Sequence, residues 1–294
     1  MNSSSSGHAY YTSAVAISAI SSIIPLFSLI LVLSSYWARG KLGDWMTRST
    51  ILIVLGSLSI AGYGATSAYN FHQIDIDGDE TQSVVWNIIF FTVGQYCYVR
   101  FSFERASDIV RRTSKKAHAM CVVFVMALPV LQLAQIVSQT MRTALAYLGP
   151  SFINTFTQLF FISTLVIGFF CVVFDSVLLY CFILFLRYQD GIVNPKLNII
   201  AHYGIAACCM AFLVMVIFLG AGLAERKVSF LLDSLICLGT SILICILGIM
   251  KYKLFNTRVV STIIMSAEEG DSMKETNSTK RNKPPLSRPN STCQ

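Results

Sequence analysis

The sequence FTQLFFISTLVIGFFCVVFDSVLLYCFILFL, from Phe156 to Leu186, decides the fold class of this chain. Its only charged residue is Asp175, and it contains no proline. A helix needs about 20 apolar residues to cross the hydrocarbon core of a bilayer, because each residue advances it by about 1.5 Å. Lipid cannot hydrogen-bond to an open backbone, so such a segment is expected to be a membrane helix. Gly168 is its only turn signal, and we predict one long helix rather than two.

Six further segments have the same apolar character, and the composition of the whole chain agrees with them. Of the 294 residues, 54% are hydrophobic and 13% are charged, whereas a soluble domain carries about 25% charged residues. The sequence therefore predicts an all-α membrane protein, a seven-transmembrane helix bundle within residues 13–250. The other six segments are Ser13 to Trp37, Ser49 to Tyr69, Val84 to Phe103, Ala119 to Thr140, Leu197 to Leu223 and Val228 to Met250.

The positions of Lys and Arg predict the orientation. With seven spans, only Arg142, Arg226 and Lys227 of the 22 basic residues share a side with the N-terminus. Because basic residues accumulate on the cytoplasmic side, we expect an outer N-terminal tail (residues 1–12), a cytosolic C-terminus and a location in the plasma membrane. Asn2-Ser3-Ser4 is a glycosylation acceptor, which makes Asn2 a candidate modification site on that tail.

Two segments follow the last predicted span. In residues 251–265, Phe255, Val259 and Ile263 share one helical face, which predicts an amphipathic helix on the membrane surface. Residues 266–294 are rich in Ser, Thr, Asn and Lys and poor in apolar residues, so we predict a disordered cytosolic tail.

Several polar side chains fall inside the predicted spans. Gln132, Gln135 and Gln139 share one face of the fourth span, because residues three, four and seven apart on a helix are neighbours. We expect a polar pocket at the outer halves of the third, fourth and seventh spans. Its candidate ligand-binding residues are Trp86, Asn87, Gln95, Gln135, Gln139 and Asp233. The alternative is that the amides join helices, at about 0.6 kcal/mol each, and that Asp233 pairs with Arg226 or Lys227.

Asp175 lies deep in the fifth span. A charge at mid-membrane costs about 2.5–3.5 kcal/mol on insertion scales. This residue therefore needs a proton, a partner or a water-filled cavity. Two interpretations stay open: Asp175 is a switch, ion or ligand contact, or it forms a simple hydrogen bond between helices.

Glu104 and Arg105 end the third predicted span, and four basic residues follow them in the next loop: Arg111, Arg112, Lys115 and Lys116. With seven spans, an outer N-terminus and a Ser/Thr-bearing tail, the layout resembles the G-protein-coupled receptors. The rhodopsin-like branch of that family ends its third helix with an acidic-Arg-Tyr triplet. The resemblance implies that Glu104 holds Arg105 in the resting state. It also implies an unknown outside ligand and a heterotrimeric G protein that binds the four basic residues.

Several positions depart from that family. The seventh span ends Leu247-Gly248-Ile249-Met250-Lys251-Tyr252 rather than in Asn-Pro-x-x-Tyr, and Ala106 replaces the aromatic residue of the triplet. The sixth span has no proline, the first has no Asn and the second has no Asp. A receptor of this sequence would belong to a divergent branch.

Other classes of protein are disfavoured by missing residue types. The segment from Val228 to Met250 contains no Lys for a retinal Schiff base, and the four His residues are scattered. We therefore expect no cofactor, no metal and no enzymatic activity. The bilayer accounts for the basic residues without nucleic acid. A small-solute transporter and a non-catalytic membrane scaffold stay open, although Pro25 and Pro129 do not occupy matching positions of two repeats.

Overall fold

The computed structural model describes residues 3–37, 47–77, 83–144, 150–188, 195–223 and 226–281, and these ranges are helical throughout except at Thr47 and Ser114. Within them, six helices are long and apolar enough to cross a membrane, and α3 is not among the six. The chain is therefore a multi-pass membrane protein built only of helices in its described part. The helices are α1 (Ser3–Trp37), α2 (Arg48–Asp77), α3 (Ser83–Thr113), α4 (Lys115–Ala144), α5 (Pro150–Tyr188), α6 (Pro195–Leu223) and α7 (Arg226–Arg281).

The seven helices agree with the number that the sequence predicts, and each is longer than its predicted span. The apolar segment from Phe156 to Leu186 lies within one uninterrupted helix, Pro150–Tyr188, so that prediction is confirmed. At the other end of the chain, α1 begins at Ser3 and includes most of the predicted outer tail. The candidate glycosylation site Asn2 lies outside the described residues.

Helix α3 is less apolar than the membrane-spanning parts of the other six helices, and its packing accounts for this. It contacts α2, α4, α5 and α6, and it carries Asn87, Gln95, Arg100 and Glu104 along its length. Side chains that face other helices escape lipid and find protein partners, so a helix in this position tolerates polar residues.

Helix α7 continues without interruption to Arg281, where the sequence predicted a separate surface helix over residues 251–265 and disorder from residue 266. Glu268, Glu269, Lys274 and Glu275 favour a helix, and the first proline after α7 begins is Pro284. The chain divides into two compact units, residues 1–252 and 253–294, and α7 contributes to both. Residues 282–294 lie outside the described ranges.

Small residues let α1, α2 and α7 approach one another closely. The hydroxyl of Ser241 on α7 donates a hydrogen bond to the carbonyl oxygen of Ser21 on α1, at 2.7 Å. A side chain added at Gly248 would overlap Ser28 of α1. A Cβ added at Gly64 of α2 would lie 2.8 Å from the hydroxyl oxygen of Ser22. Membrane helices without large apolar interfaces commonly associate through such contacts.

Candidate ligand cavity

A cavity of about 110 Å³ lies inside the bundle, between side chains of α2 to α7. Since one water needs roughly 10–15 Å³ of such space, the cavity can hold several waters or a small organic group. Its two sides differ in chemistry. The polar side comes from α3, α4 and α5 and includes Gln95, Tyr98, Gln135, Thr164, Cys171 and Asp175. Much of the apolar side comes from α6 and α7 and includes Val214, Met215, Phe218, Ile236 and Leu243.

Asp175 is anchored at the cavity wall by a tyrosine of the neighbouring helix. The hydroxyl of Tyr98 on α3 donates a hydrogen bond to Oδ1 of Asp175 on α5, at 2.7 Å. Tyr98 is 6% exposed and Asp175 is 3% exposed. Asp175 therefore forms a hydrogen bond between two helices, and its side chain also lines a cavity.

A chain of amides connects α4 to α3 and α3 to α5. Nε2 of Gln132 donates to the carbonyl oxygen of Thr92, at 3.1 Å, and to Oε1 of Gln95, at 3.3 Å. Nε2 of Gln95 then donates to Sγ of Cys171 on α5, at 3.4 Å. These contacts fix the positions of Gln95 and Cys171 in the cavity wall.

Gln135 presents an unused hydrogen-bond acceptor in this wall. Its Nε2 donates to Oγ1 of Thr164, at 2.9 Å, but its Oε1 is buried and has no partner among the described residues. Leaving a buried acceptor unsatisfied costs about 1–3 kcal/mol. A donor in the cavity, from water or from a ligand, would remove that cost. Oε1 of Gln139 is in the same condition, but Gln139 does not line the cavity.

Besides Gln139, the structure separates three more predicted pocket residues from this cavity. Trp86 is 59% exposed and packs on Phe90, with ring centroids 6.4 Å apart. Nδ2 of Asn87 donates to the hydroxyl oxygen of Ser67 on α2, at 2.8 Å, so Asn87 joins two helices. Asp233 lies near Cys237, outside the cavity wall. The sequence indicated the depth of these residues in the membrane but not the rotation of their helices. The side chains of Arg226 and Lys227, suggested as partners of Asp233, lie outside the described residues.

At the far end of α3, the acidic residue pairs with a different arginine from the one that the receptor resemblance implies. Oε1 of Glu104 lies 3.4 Å from Nε of Arg100. Residues four apart on a helix are neighbours, whereas adjacent residues point in different directions. Arg105 instead donates from Nη2 to the hydroxyl oxygen of Ser49 on α2, at 3.1 Å, and lies over the ring of Phe101.

Ser49 also accepts a hydrogen bond from α7. Nζ of Lys251 lies 2.8 Å from its hydroxyl oxygen. One α2 hydroxyl therefore binds both Arg105 of α3 and Lys251 of α7. A movement of α3 relative to α7 would change this junction.

The turn between α3 and α4 presents the predicted cationic surface. Ser114 alone separates the two helices, and its hydroxyl oxygen accepts a hydrogen bond from the backbone N–H of Ala117, at 3.3 Å. The short turn places four exposed cations near one another, Arg111, Arg112, Lys115 and Lys116. Arg111 lies 3.6 Å from Asp108, and both side chains are mostly exposed, so that ion pair contributes little stability.

Comparison with protein-family models, with curated proteins and with solved structures gave no match for this chain. The geometry of the cavity and of the α3–α4 turn therefore carries the functional argument.

Proposed function

We propose that this chain is a receptor-like signalling protein that crosses the membrane seven times and couples a small outside ligand to a cytosolic G protein. The observation that carries the proposal is the interior cavity, with Asp175 and the unused acceptor of Gln135 in its polar wall. Ligand sites in helix bundles are commonly concave and mostly apolar, with a few converging polar groups.

The wall residues suggest the chemistry of the ligand. A molecule with a hydrogen-bond donor would satisfy Oε1 of Gln135, and a cationic donor would also pair with Asp175. The apolar side formed by α6 and α7 would hold a hydrocarbon group. The expected ligand is therefore small and amphipathic, with one donor end and one apolar end.

The same wall could link ligand binding to the partner surface through a change in the position of α3. A ligand bound at Asp175 competes with the hydroxyl of Tyr98, which is one of the direct contacts between α3 and α5 in this wall. Further along α3 are Arg105, bound to Ser49, and the four exposed cations at the turn. A ligand that favours one arrangement of α3 would change the population of states in which these cations meet a partner.

Orientation is part of the proposal. The distribution of Lys and Arg favours an outer N-terminus in the plasma membrane and, with it, a cytosolic α3–α4 turn. Epitope tags at the two termini test this directly. The N-terminal tag should bind antibody on intact cells, and the C-terminal tag should bind only after permeabilisation. The reverse pattern would mean that the cationic turn lies outside the cell, which would contradict the proposal.

The functional experiment measures G-protein activation in cells that co-express the chain with a panel of G-protein subunits. Wild type is compared with Arg105→Ala and with Arg142→Ala. The second variant removes the same charge at the end of α4 that is farther from the α3–α4 turn. At equal surface expression, Arg105→Ala is expected to change activation and Arg142→Ala to leave it near wild type.

A wild-type chain that reaches the membrane and activates none of the subunits would contradict the receptor proposal. Solute uptake that depends on Asp175 would then favour the transporter alternative. Absence of both activities would favour the scaffold.

A further inference from the structure

A second concave surface of the bundle faces away from the interior cavity. It is an apolar groove of about 790 Å³ between α4 and α5. Its α4 wall runs from Ala119 to Leu131, which is about 18 Å along the axis at about 1.5 Å per residue. One leaflet contributes about half of the roughly 30 Å hydrocarbon core, so the groove matches the depth of one leaflet.

Small side chains between larger ones form this groove. Ala127 of α4 and Val173 of α5 lie along it, and Phe124 forms part of its floor by packing on Phe174, with ring centroids 5.3 Å apart. Met120 and Val123 line it and are more than half exposed. Since α4 and α5 are membrane-spanning, the groove opens toward lipid rather than toward water.

One end of the groove is cationic on both walls. Lys116 lies on the same face of α4 as Met120 and Val123, four and seven residues later. Helix α5 runs antiparallel to α4, because Gln135 bonds to Thr164 while Phe124, earlier on α4, packs on Phe174, later on α5. Arg187, in the last turn of α5, therefore lies at the same end as Lys115 and Lys116. These three residues are exposed.

We propose that this groove is a binding site for an anionic phospholipid of the adjacent leaflet. One acyl chain lies along Ala127 and Val173, and the negative headgroup binds Lys115, Lys116 and Arg187. Helix α4 contains no Asp or Glu, and neither does α5 between Ser176 and Arg187. The headgroup therefore meets positive charge on both walls, and long basic side chains readily reach the headgroup region from a helix end.

Charge disfavours a second copy of the chain as the occupant. Two copies related by a twofold axis would present the same patch to each other. The cations at the end of each groove would then meet like charges. An anionic lipid neutralises them instead.

The test uses the full-length chain, purified in detergent from membranes containing equal amounts of phosphatidylserine and phosphatidylcholine. Native mass spectrometry counts the lipids retained per chain. We expect one retained phosphatidylserine, preferred over phosphatidylcholine by on the order of tenfold, since each nearby cation contributes substantially to binding an anionic leaflet.

Two pairs of variants locate the site. Lys115→Gln with Lys116→Gln should abolish the preference, whereas Arg111→Gln with Arg112→Gln, which removes equal charge from the same turn, should keep it. Ala127→Phe fills the groove and should prevent retention, whereas Ala134→Phe, an exposed position of α4 outside the groove, should not. Thermal unfolding checks that each variant is folded. If Ala127→Phe is unfolded, the comparison of the two double charge variants tests the site by itself.

Each opposite outcome overturns the proposal. These outcomes are equal retention of both lipids, equal effects of the two charge pairs, retention by folded Ala127→Phe, or a dimer that retains no lipid. None of these outcomes measures G-protein activation. The lipid site shares Lys115 and Lys116 with the proposed partner surface, but lipid retention tests it separately from the receptor proposal.

Discussion

The two faces of α4 differ in the opposite sense from those of a helix in a soluble protein. On one face, Gln132, Gln135 and Gln139 are at most 5% exposed. On the other, Met126, Val130 and Leu133 are between 61% and 71% exposed. A soluble helix buries its apolar stripe and solvates its polar one. This reversal shows that the surroundings of the bundle are apolar and that its interior holds the polar chemistry.

The largest effect is expected from a charge placed on the exposed face of α4. Leu133→Lys should reduce membrane insertion of α4 by about 3 kcal/mol, because a lysine near the middle of a span must leave water. The inserted fraction is measured in the full chain with a glycosylation reporter. Met141→Lys, near the end of the helix, is the control, since its ammonium group can reach the interface. Equal tolerance of both substitutions would mean that this face does not meet lipid.

A smaller effect is expected from the contact between Tyr98 and Asp175 on the interior side. A double-mutant cycle of Tyr98→Phe and Asp175→Ala, each of which removes one partner of the hydrogen bond, should give a coupling of about 1.5 kcal/mol, near the upper end of hydrogen bonds measured in membrane proteins. Unfolding in detergent micelles measures it. Tyr98→Phe combined with Ser163→Ala, which removes an exposed hydroxyl of α5, should be additive. A coupling near zero would mean that the hydrogen bond between Tyr98 and Asp175 does not stabilise the folded state.

The hydrogen bonds of the amide chain between α4 and α3 should contribute less to the free energy of unfolding. Gln132→Leu loses two hydrogen bonds, to Thr92 and Gln95, and at about 0.6 kcal/mol each the free energy of unfolding should fall by about 1 kcal/mol. Gln158→Leu, the same change at an exposed position of α5, is the control and should have almost no effect. A larger loss of unfolding free energy for Gln158→Leu than for Gln132→Leu in the same assay would indicate that the polar face of α4 is not a stabilising interface.

The smallest effect is expected on the exposed apolar face. Met126→Ala should change the free energy of unfolding by less than about 0.5 kcal/mol, because lipid replaces the lost contacts and the side chain packs little protein. The same micelle assay measures it. A loss above about 1 kcal/mol would indicate that another protein surface covers this face.

The sequence predicted the helices well because apolar length is a local property. The single helix across Phe156 to Leu186 followed from its apolar length, and the shared face of Gln132, Gln135 and Gln139 followed from helical spacing. The partner of Asp175 did not follow, since Tyr98 is 77 residues away and the rotation of α3 depends on four neighbouring helices. For the same reason, Trp86 was expected in a pocket and is found on the exposed face.

The central proposal is that a ligand acts at the interior cavity. The most direct measurement is G-protein activation, basal and after a library of small amphipathic molecules, at matched surface expression. Wild type is compared with Asp175→Asn and with Asp233→Asn, the same chemical change outside the cavity wall. We predict that Asp175→Asn alters activation by on the order of tenfold, the difference between a charge-assisted and a neutral hydrogen bond, and that Asp233→Asn has a much smaller effect. Equal responses of the two variants, or no activation by the wild type, would contradict the account.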